Sequence, residues 1–388
     1  MGDLSDHAPR PAAADARLTG VCVVALTPGR RNGSHEEVTH HRLAERLAAL
    51  KHLPFYDACD VTGSSARDHY FVPDAMLVSL TGARALGITD ADHLFGGVVP
   101  YPYIATKTIS HPLLGEACAR PIGWSTDFSR QVRELVLPGY SAFSFADAQS
   151  AGRSLLQDGS VRIKKAGGAG GARPAVASDP RQLQATLQAF GEEGAWFDGV
   201  VLERNLVDVV TSSVGQVRVS KLQLSYCGRQ QSTLDHRGHR VYGGARLEFV
   251  RGDYDSLLRR HDLKAQLRLA VRQARDFQRC AFDCFPGMFA SRCHCDVVQG
   301  VDDLGRWCSG VVEPSWCVGH ASGAEIAALE AFAARPELDT VCASTTELYD
   351  LKPNVPRDAL VYFSGIDERV GAITKYSRIE SAPSTTPW

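Results

Sequence analysis

Residues 166–172 read AGGAGGA, a stretch built only from glycine and alanine. Four glycines so close together carry too much backbone entropy to sit inside a helix or a strand, so this stretch must be a loop. What flanks it limits the fold further. The segment SVRIKK before it alternates apolar and basic residues as a strand does. The segment SDPRQLQATLQAF after it is a helix capped by Ser178 or Asp179, with Pro180 in its first turn. Two roles suit such a loop: backbone N–H groups closing over a phosphate, or a plain flexible turn.

At 388 residues the chain exceeds one ordinary domain, which implies two or three domains or one with a large insertion. Apolar content of 44% and charged content of 22% are those of a soluble globular protein. A net charge of −2 leaves no footprint for nucleic acid or an anionic membrane. The early apolar run GVCVVAL is too short to cross a bilayer. Residues 1–17 lack the apolar core of a secretory signal, and Asp6 excludes a myristoylation site. They read as a disordered leader, with residues 381–388 as a matching tail. Eleven cysteines, an odd number, without an export signal imply a cytoplasmic setting and mostly buried thiols. The spacing in CHC, residues 293–295, is not that of a zinc motif. Strand alternation puts Cys293 and Cys295 on one face and His294 on the other.

Residues 18–137 alternate strand and helix in the manner of a doubly wound α/β domain. The helix in VTHHRLAERLAALKHL shows one apolar face at Leu43, Leu47, Leu50 and Leu53. Further along, DYDSLLRRHDLKAQLRLAVRQARDFQ predicts one long amphipathic helix, and SRCHCDVVQG followed by RWCSGVVEPSW predicts a β-hairpin.

A two-residue loop at Leu304 and Gly305 would set Asp303 opposite Arg306 and, farther back, Asp296 opposite Glu313. Directly opposed side chains stand about 5 Å apart on one face. Carboxylates that close need a cation, a shared proton or a basic partner. Mg2+, or Mn2+ in its place, takes oxygen ligands from one or two carboxylates plus phosphates, and Ser315 projects to the same face as Glu313. A bulge at Gly305 would slip the register by one, and an acidic pair bridged by Lys or Arg is the plain alternative.

In their order, these pieces resemble the ATP-grasp superfamily: a lysine-bearing strand (VRIKK), a small-residue loop (AGGAGGA), a capped helix, a hinge strand (VVLERNL) and a carboxylate hairpin. The resemblance covers roughly residues 138–332. SVGQV, YGGARL and ASGAEIAALEAF mark a bacterial ATP-grasp-like family within it. It implies an α/β ATP-grasp fold in which two lobes enclose ATP. The small lobe would span 138–210 and the large lobe 211–380, after the N-terminal α/β domain.

By the same resemblance, Lys164 or Lys165 contacts the ATP phosphates, with Lys164 favoured, and Lys107 is a candidate for the first phosphate lysine. Gly167, Gly168, Gly170 and Gly171 form the lid. Glu203 and Leu206 meet the adenine edge, and Asp208 the ribose. Asp296, Glu313 and Ser315 hold Mg2+. Two departures stand out: Ser315 replaces the usual Asn, and Cys317 occupies a position where relatives place an arginine, for which Arg292 or Arg246 would compensate. The nest VGHASGAE offers His320 and Ser322 to an anionic group. The expected reaction is an ADP-forming carboxylate–amine or carboxylate–thiol ligation on small molecules, with no nucleic-acid or membrane partner and a homodimer as one open assembly. A phosphotransferase and a non-catalytic nucleotide-binding protein are the alternatives.

Overall fold

The computed structural model describes residues 22–26, 33–56, 69–166, 174–350 and 352–380. The chain is mixed α/β, with four sheets among the described residues. The first is parallel, in the order β2 (Phe55–Tyr56), β1 (Val23–Leu26), β3 (Tyr70–Pro73). Val23 and Ala25 point to α1 (His35–Lys51), where Leu43 and Leu47 are buried, while Cys22 and Val24 point to the side of α2 (Leu80–Ala85). Both faces are covered, which is why these strands are apolar without alternation. A small second sheet joins β4 (Leu77–Val78) and β5 (Gly97–Val99) to β13 (Phe289–Ala290).

The third sheet is antiparallel, in the order β6 (Gly139–Ala142), β9 (Val200–Arg204), β7 (Val161–Lys165), β8 (Ala175–Ala177). Helices α4 (Phe145–Leu155) and α5 (Pro180–Glu192) cover one face, against Val161, Ile163, Val200 and Leu202. Asp179 caps α5, accepting from the N–H groups of Arg181 and Gln182.

The fourth sheet has eight antiparallel strands and carries the site. Its order is β15 (Trp307–Ser315), β14 (Arg292–Val301), β10 (Val207–Val219), β11 (Leu222–Leu234), β12 (Arg240–Arg251), β16 (Thr340–Leu348), β18 (Gly371–Ile379), β17 (Leu360–Asp367). On one face lies α7 (Ala265–Cys284), burying Leu267, Ala270, Val271, Ala274, Phe277 and Ala281 at helical spacing. Cys293 and Cys295 face it as free thiols, and burial pushes the Cys293 thiol up to about 12. α3 (Thr126–Gln131) packs on the same layer through Phe128 against Phe277. The other face holds α8 (Ser322–Ala334) and α1; α8 is apolar nearly all round because it is enclosed on nearly every side.

The single long helix expected over 253–278 is two helices, α6 (Tyr254–Leu258) and α7. Arg268 explains the break. Its guanidinium donates to the carbonyls of Leu258 at 2.5 Å and Arg260 at 2.6 Å, taking the acceptors that α6 leaves open at its end.

Glu347 on β16 stands opposite Lys375 on β18, and their charges meet at 3.0 Å with both side chains largely buried. Burial alone would raise the Glu347 carboxyl, but Lys375 and His320 together bring it down to about 2. A depressed carboxyl stabilises the fold above its unfolded value and loses that contribution as pH falls through its folded value. Glu347→Gln is therefore expected to lose on the order of 3 kcal/mol at pH 7. In urea unfolding, its deficit against the parent should shrink between pH 4.5 and pH 2; a deficit independent of pH would contradict the assignment.

Candidate active site

The β14–β15 turn differs from the two-residue loop expected. Asp302 N–H bonds the Arg306 carbonyl at 3.0 Å around a three-residue turn, with Gly305 in the left-handed region at φ +75°. The Asp302 carboxylate fixes this turn by accepting from Leu304 N–H, Arg306 N–H and Arg306 Nε. The ladder is thus shifted by one residue, with Val297 opposite Val311. A bulge between Asp296 and Val297 absorbs the extra residue, Val312, and returns Asp296 to a position opposite Glu313. Two irregularities cancel, and the carboxylates face each other across neighbouring strands.

Three donors meet Asp296 Oδ1: Gln230 Nε2 at 2.7 Å, His294 Nε2 at 2.9 Å and Ser213 Oγ at 3.3 Å. No hydrogen bond among the described residues reaches Oδ2. Burial raises the Asp296 carboxyl, but the hydrogen bond and charge of His294, with Gln230 and His320 behind it, hold it below the usual range. Behind His294 runs a chain of contacts. His294 Nδ1 lies 2.8 Å from Tyr226 Oη, which donates to Glu325 Oε1 at 2.5 Å, and Glu325 Oε2 meets Arg292 Nε at 2.8 Å. His294 thus stands between the Tyr226 hydroxyl and the Asp296 carboxylate.

This arrangement corrects the expectation for both arginines. Arg292 is 1% exposed, and its guanidinium is engaged by Glu325 and the Cys317 carbonyl, so it is a buried strut. Arg246 pairs with Arg229 and Ser344, one position out of phase with the row through Ser213 and Gly228, so it projects from the sheet face opposite Asp296. Ser315 faces His294 across the hairpin, with Oγ 3.5 Å from Cys317 Sγ.

A 3-10 turn, Lys107–Ser110, joins the hairpin to the third sheet. Lys107 Nζ lies 3.3 Å from Glu313 Oε1. His111, just after the turn, puts Nε2 3.8 Å from Glu203 Oε2. At about 2 Å rise per residue, the backbone positions of Lys107 and His111 are roughly 8 Å apart. Lys164 Nζ lies 2.5 Å from the other Glu203 oxygen. The alternation of β7 separates the two strand lysines. Lys164 emerges on the face away from α4 and α5, whereas Lys165 packs over the Phe190 ring of α5 and pairs with Glu193. Glu203 is 1% exposed, yet its Oε2 has no hydrogen-bond partner among the described residues. Burial pushes the His111 ring down to about 4, so it is neutral at pH 7. Leu206 is buried, and Asp208 is exposed at φ +52°. Gly167, Gly168, Gly170 and Gly171 lie outside the described residues.

A cavity of about 710 Å³ opens on the α8 side of the large sheet, lined among others by His35, Arg240, Tyr242, His320, Glu347 and Lys375. Pro174, the first described residue after the glycine stretch, is part of its wall. His320, offered by the nest VGHASGAE, is part of this wall. Ser322 does not, being fully buried with Oγ accepting from Gly319 N–H at 3.1 Å. Sequence reasoning missed His294, although the alternation that grouped Asp296 with Glu313 also places His294 on that face. It missed His111 because nothing local to it signals proximity to Glu203.

No curated protein matches the chain. Among solved structures, it is similar to the biotin carboxylase–β-γ-ATP complex from Campylobacter jejuni, at 10% identity and TM-score 0.48, over 92% of this chain and 87% of that one. It is also similar to N5-carboxyaminoimidazole synthase from Aspergillus clavatus in complex with ADP and 5-aminoimidazole ribonucleotide, at 11% and 0.47, over 93% and 94%. A third is D-alanyl-alanine synthetase A from Vibrio cholerae O1, at 9% and 0.41, over 76% and 88%. These neighbours are ATP-grasp enzymes; likeness at this level does not transmit a substrate or a reaction. The family described as Protein of unknown function (DUF3182) matches residues 23–377, and the chain belongs to that family.

Proposed function

We propose that the protein is an ATP-dependent ligase of the ATP-grasp type, which activates a small-molecule carboxylate for attack by an amine or a similar nucleophile. One observation carries this reading: two lysines, Lys107 and Lys164, and the opposed carboxylates Asp296 and Glu313 gather around the single turn at 107–111. Each lysine holds a carboxylate, Glu313 or Glu203, that a triphosphate can replace as its partner. Such exchange suits a site where phosphate charge arrives and leaves.

The acidic pair fits Mg2+. The donor set is hard oxygen, Asp296 is held ionised with Oδ2 free, Glu313 is half exposed, and Ser315 adds a hydroxyl nearby. Bound between carboxylates and phosphates, the ion would supply charge neutralisation during phosphoryl transfer. The residues of the chain do the rest. Lys164 and Lys107 hold the phosphates, and His294 keeps Asp296 turned and charged. Glu203 offers a buried acceptor to a nucleotide base. In the reaction, a substrate carboxylate oxygen attacks the γ-phosphorus and ADP leaves; the nucleophile then attacks the acyl carbon and phosphate leaves.

Products distinguish this reading from phosphotransfer to a hydroxyl: ADP and free phosphate should accumulate in equal amounts, with no stable phosphorylated compound. Glu313→Gln is expected to cut substrate-stimulated ADP release by about a hundredfold or more at saturating magnesium, and near-parental turnover would end the proposal. Lys164→Ala is expected to weaken ATP binding roughly ten- to a hundredfold in calorimetry. Equal affinity in parent and variant would remove the phosphate-holding role.

A further inference from the structure

The 710 Å³ cavity has the size of a small-molecule site, and its charges are unevenly matched. Glu347 is satisfied by Lys375 at 3.0 Å and His320 at 3.2 Å. Glu36 is satisfied by Arg369 at 2.9 Å, and Asp235 by His239 at 3.2 Å and two turn N–H groups. Every carboxylate lining the cavity is therefore already paired. Two lining cations are not. Arg237 has no side-chain partner among the described residues, and Arg240 meets only the Ser232 hydroxyl, at 2.9 Å.

A second anion-seeking feature stands elsewhere in the cavity. Helix α8 has no side-chain cap at Ala321, its Ser322 N–H is taken by the Gly319 carbonyl at 3.0 Å, and its positive end is turned to the wall that Gly319 and Gly323 line. His35, which is 7% exposed and also lines the cavity, has an Nδ1 with no hydrogen-bond partner. His320 and Tyr242 lie ring against ring at 4.5 Å, next to the α8 terminus. Arg240 is two residues from Tyr242 along β12, so the two anion-seeking places are roughly 7 Å apart. His320 follows Ser315 of the carboxylate hairpin by only five residues, so the α8 end is the one reached directly from β15.

We propose that this cavity binds a small molecule with two anionic groups, one at the N-terminal end of α8 beside His320 and the other at Arg237 and Arg240. Resting on the ligase reading, the group at α8 is the carboxylate that is activated, and the second anion selects the substrate. Tyr242, Tyr349 and Tyr362 also line the cavity with apolar rings bearing hydroxyls, which suits a short hydrocarbon or planar body.

The probes are the linear dicarboxylates from malonate to suberate, each compared with the monocarboxylate of the same length, titrated calorimetrically into the full chain without nucleotide. At least one diacid is expected to bind roughly tenfold or more tightly than its monoacid. The Arg237→Ala/Arg240→Ala double variant should abolish that preference, as should the charge reversal Arg240→Glu. Both arginines are exposed, so the melting temperature should stay at the parental value. If no diacid is preferred, or if the preference survives both variants, the proposal fails. ATP titrated into the same samples separates the two readings. Diacid preference without ATP binding would sink the ligase and leave the pocket, and ATP binding without diacid preference would do the reverse.

Discussion

Two negative charges placed side by side govern this site. At a separation of about 5 Å, and an effective dielectric constant near 20, opposed carboxylates repel by about 3 kcal/mol. The fold gives Asp296 and Glu313 a partner each, His294 at 2.9 Å and Lys107 at 3.3 Å. The two partners differ in kind. His294 is wedged between fixed partners on the sheet, whereas Lys107 is a long side chain from a 3-10 turn, able to change partner without backbone movement. One carboxylate is thus held in place, and the other is held by something that can let go.

The fixed half reaches deep into the protein. From Asp296 the chain of contacts runs through His294, Tyr226 and Glu325 to Arg292 and the Cys317 carbonyl, linking β14, β11 and the first turn of α8. A buried pair such as Arg292–Glu325 adds little net stability against an apolar pair, yet removing one partner leaves a costly unpaired charge. Its value here is geometric. It sets the approach of α8 to the sheet, and with it the position of His320, the cavity wall and the orientation of the Asp296 oxygens.

How far the sequence revealed this depends on the element. The strand before the glycines, the helix over 180–192, its cap at Asp179 and the opposed carboxylates follow from local pattern, since periodicity and turn chemistry are short-range. The hairpin shows the limit: a shifted turn and a compensating bulge, neither visible in residue order, give the pairing that a simpler turn would have given. Arg246 was misassigned for the related reason that the row linking β12 to β14 passes through two intervening strands, whose phase no local signal sets. The break between α6 and α7 escaped because Arg268 acts across it on carbonyls five to ten residues back. Arg292 looked available because its partner, Glu325, lies 33 residues away on α8.

The matched charges of the site and the unmatched charges of the cavity lead to one view of how ligands are admitted. Glu313 and Glu203 hold Lys107 and Lys164. On the proposed ligase reading, an incoming nucleotide would exchange one ion pair for another, which would lower the gain in affinity but free Glu313 when its oxygens are needed. Among the described residues Arg237 and Arg240 have no such carboxylate partner, so an anion arriving there would keep the full attraction of the guanidinium groups. If the cavity takes the proposed diacid, its selection would accordingly be strongest at the far rim, away from the reacting bond, where attraction that is equal in ground and transition states costs nothing in rate.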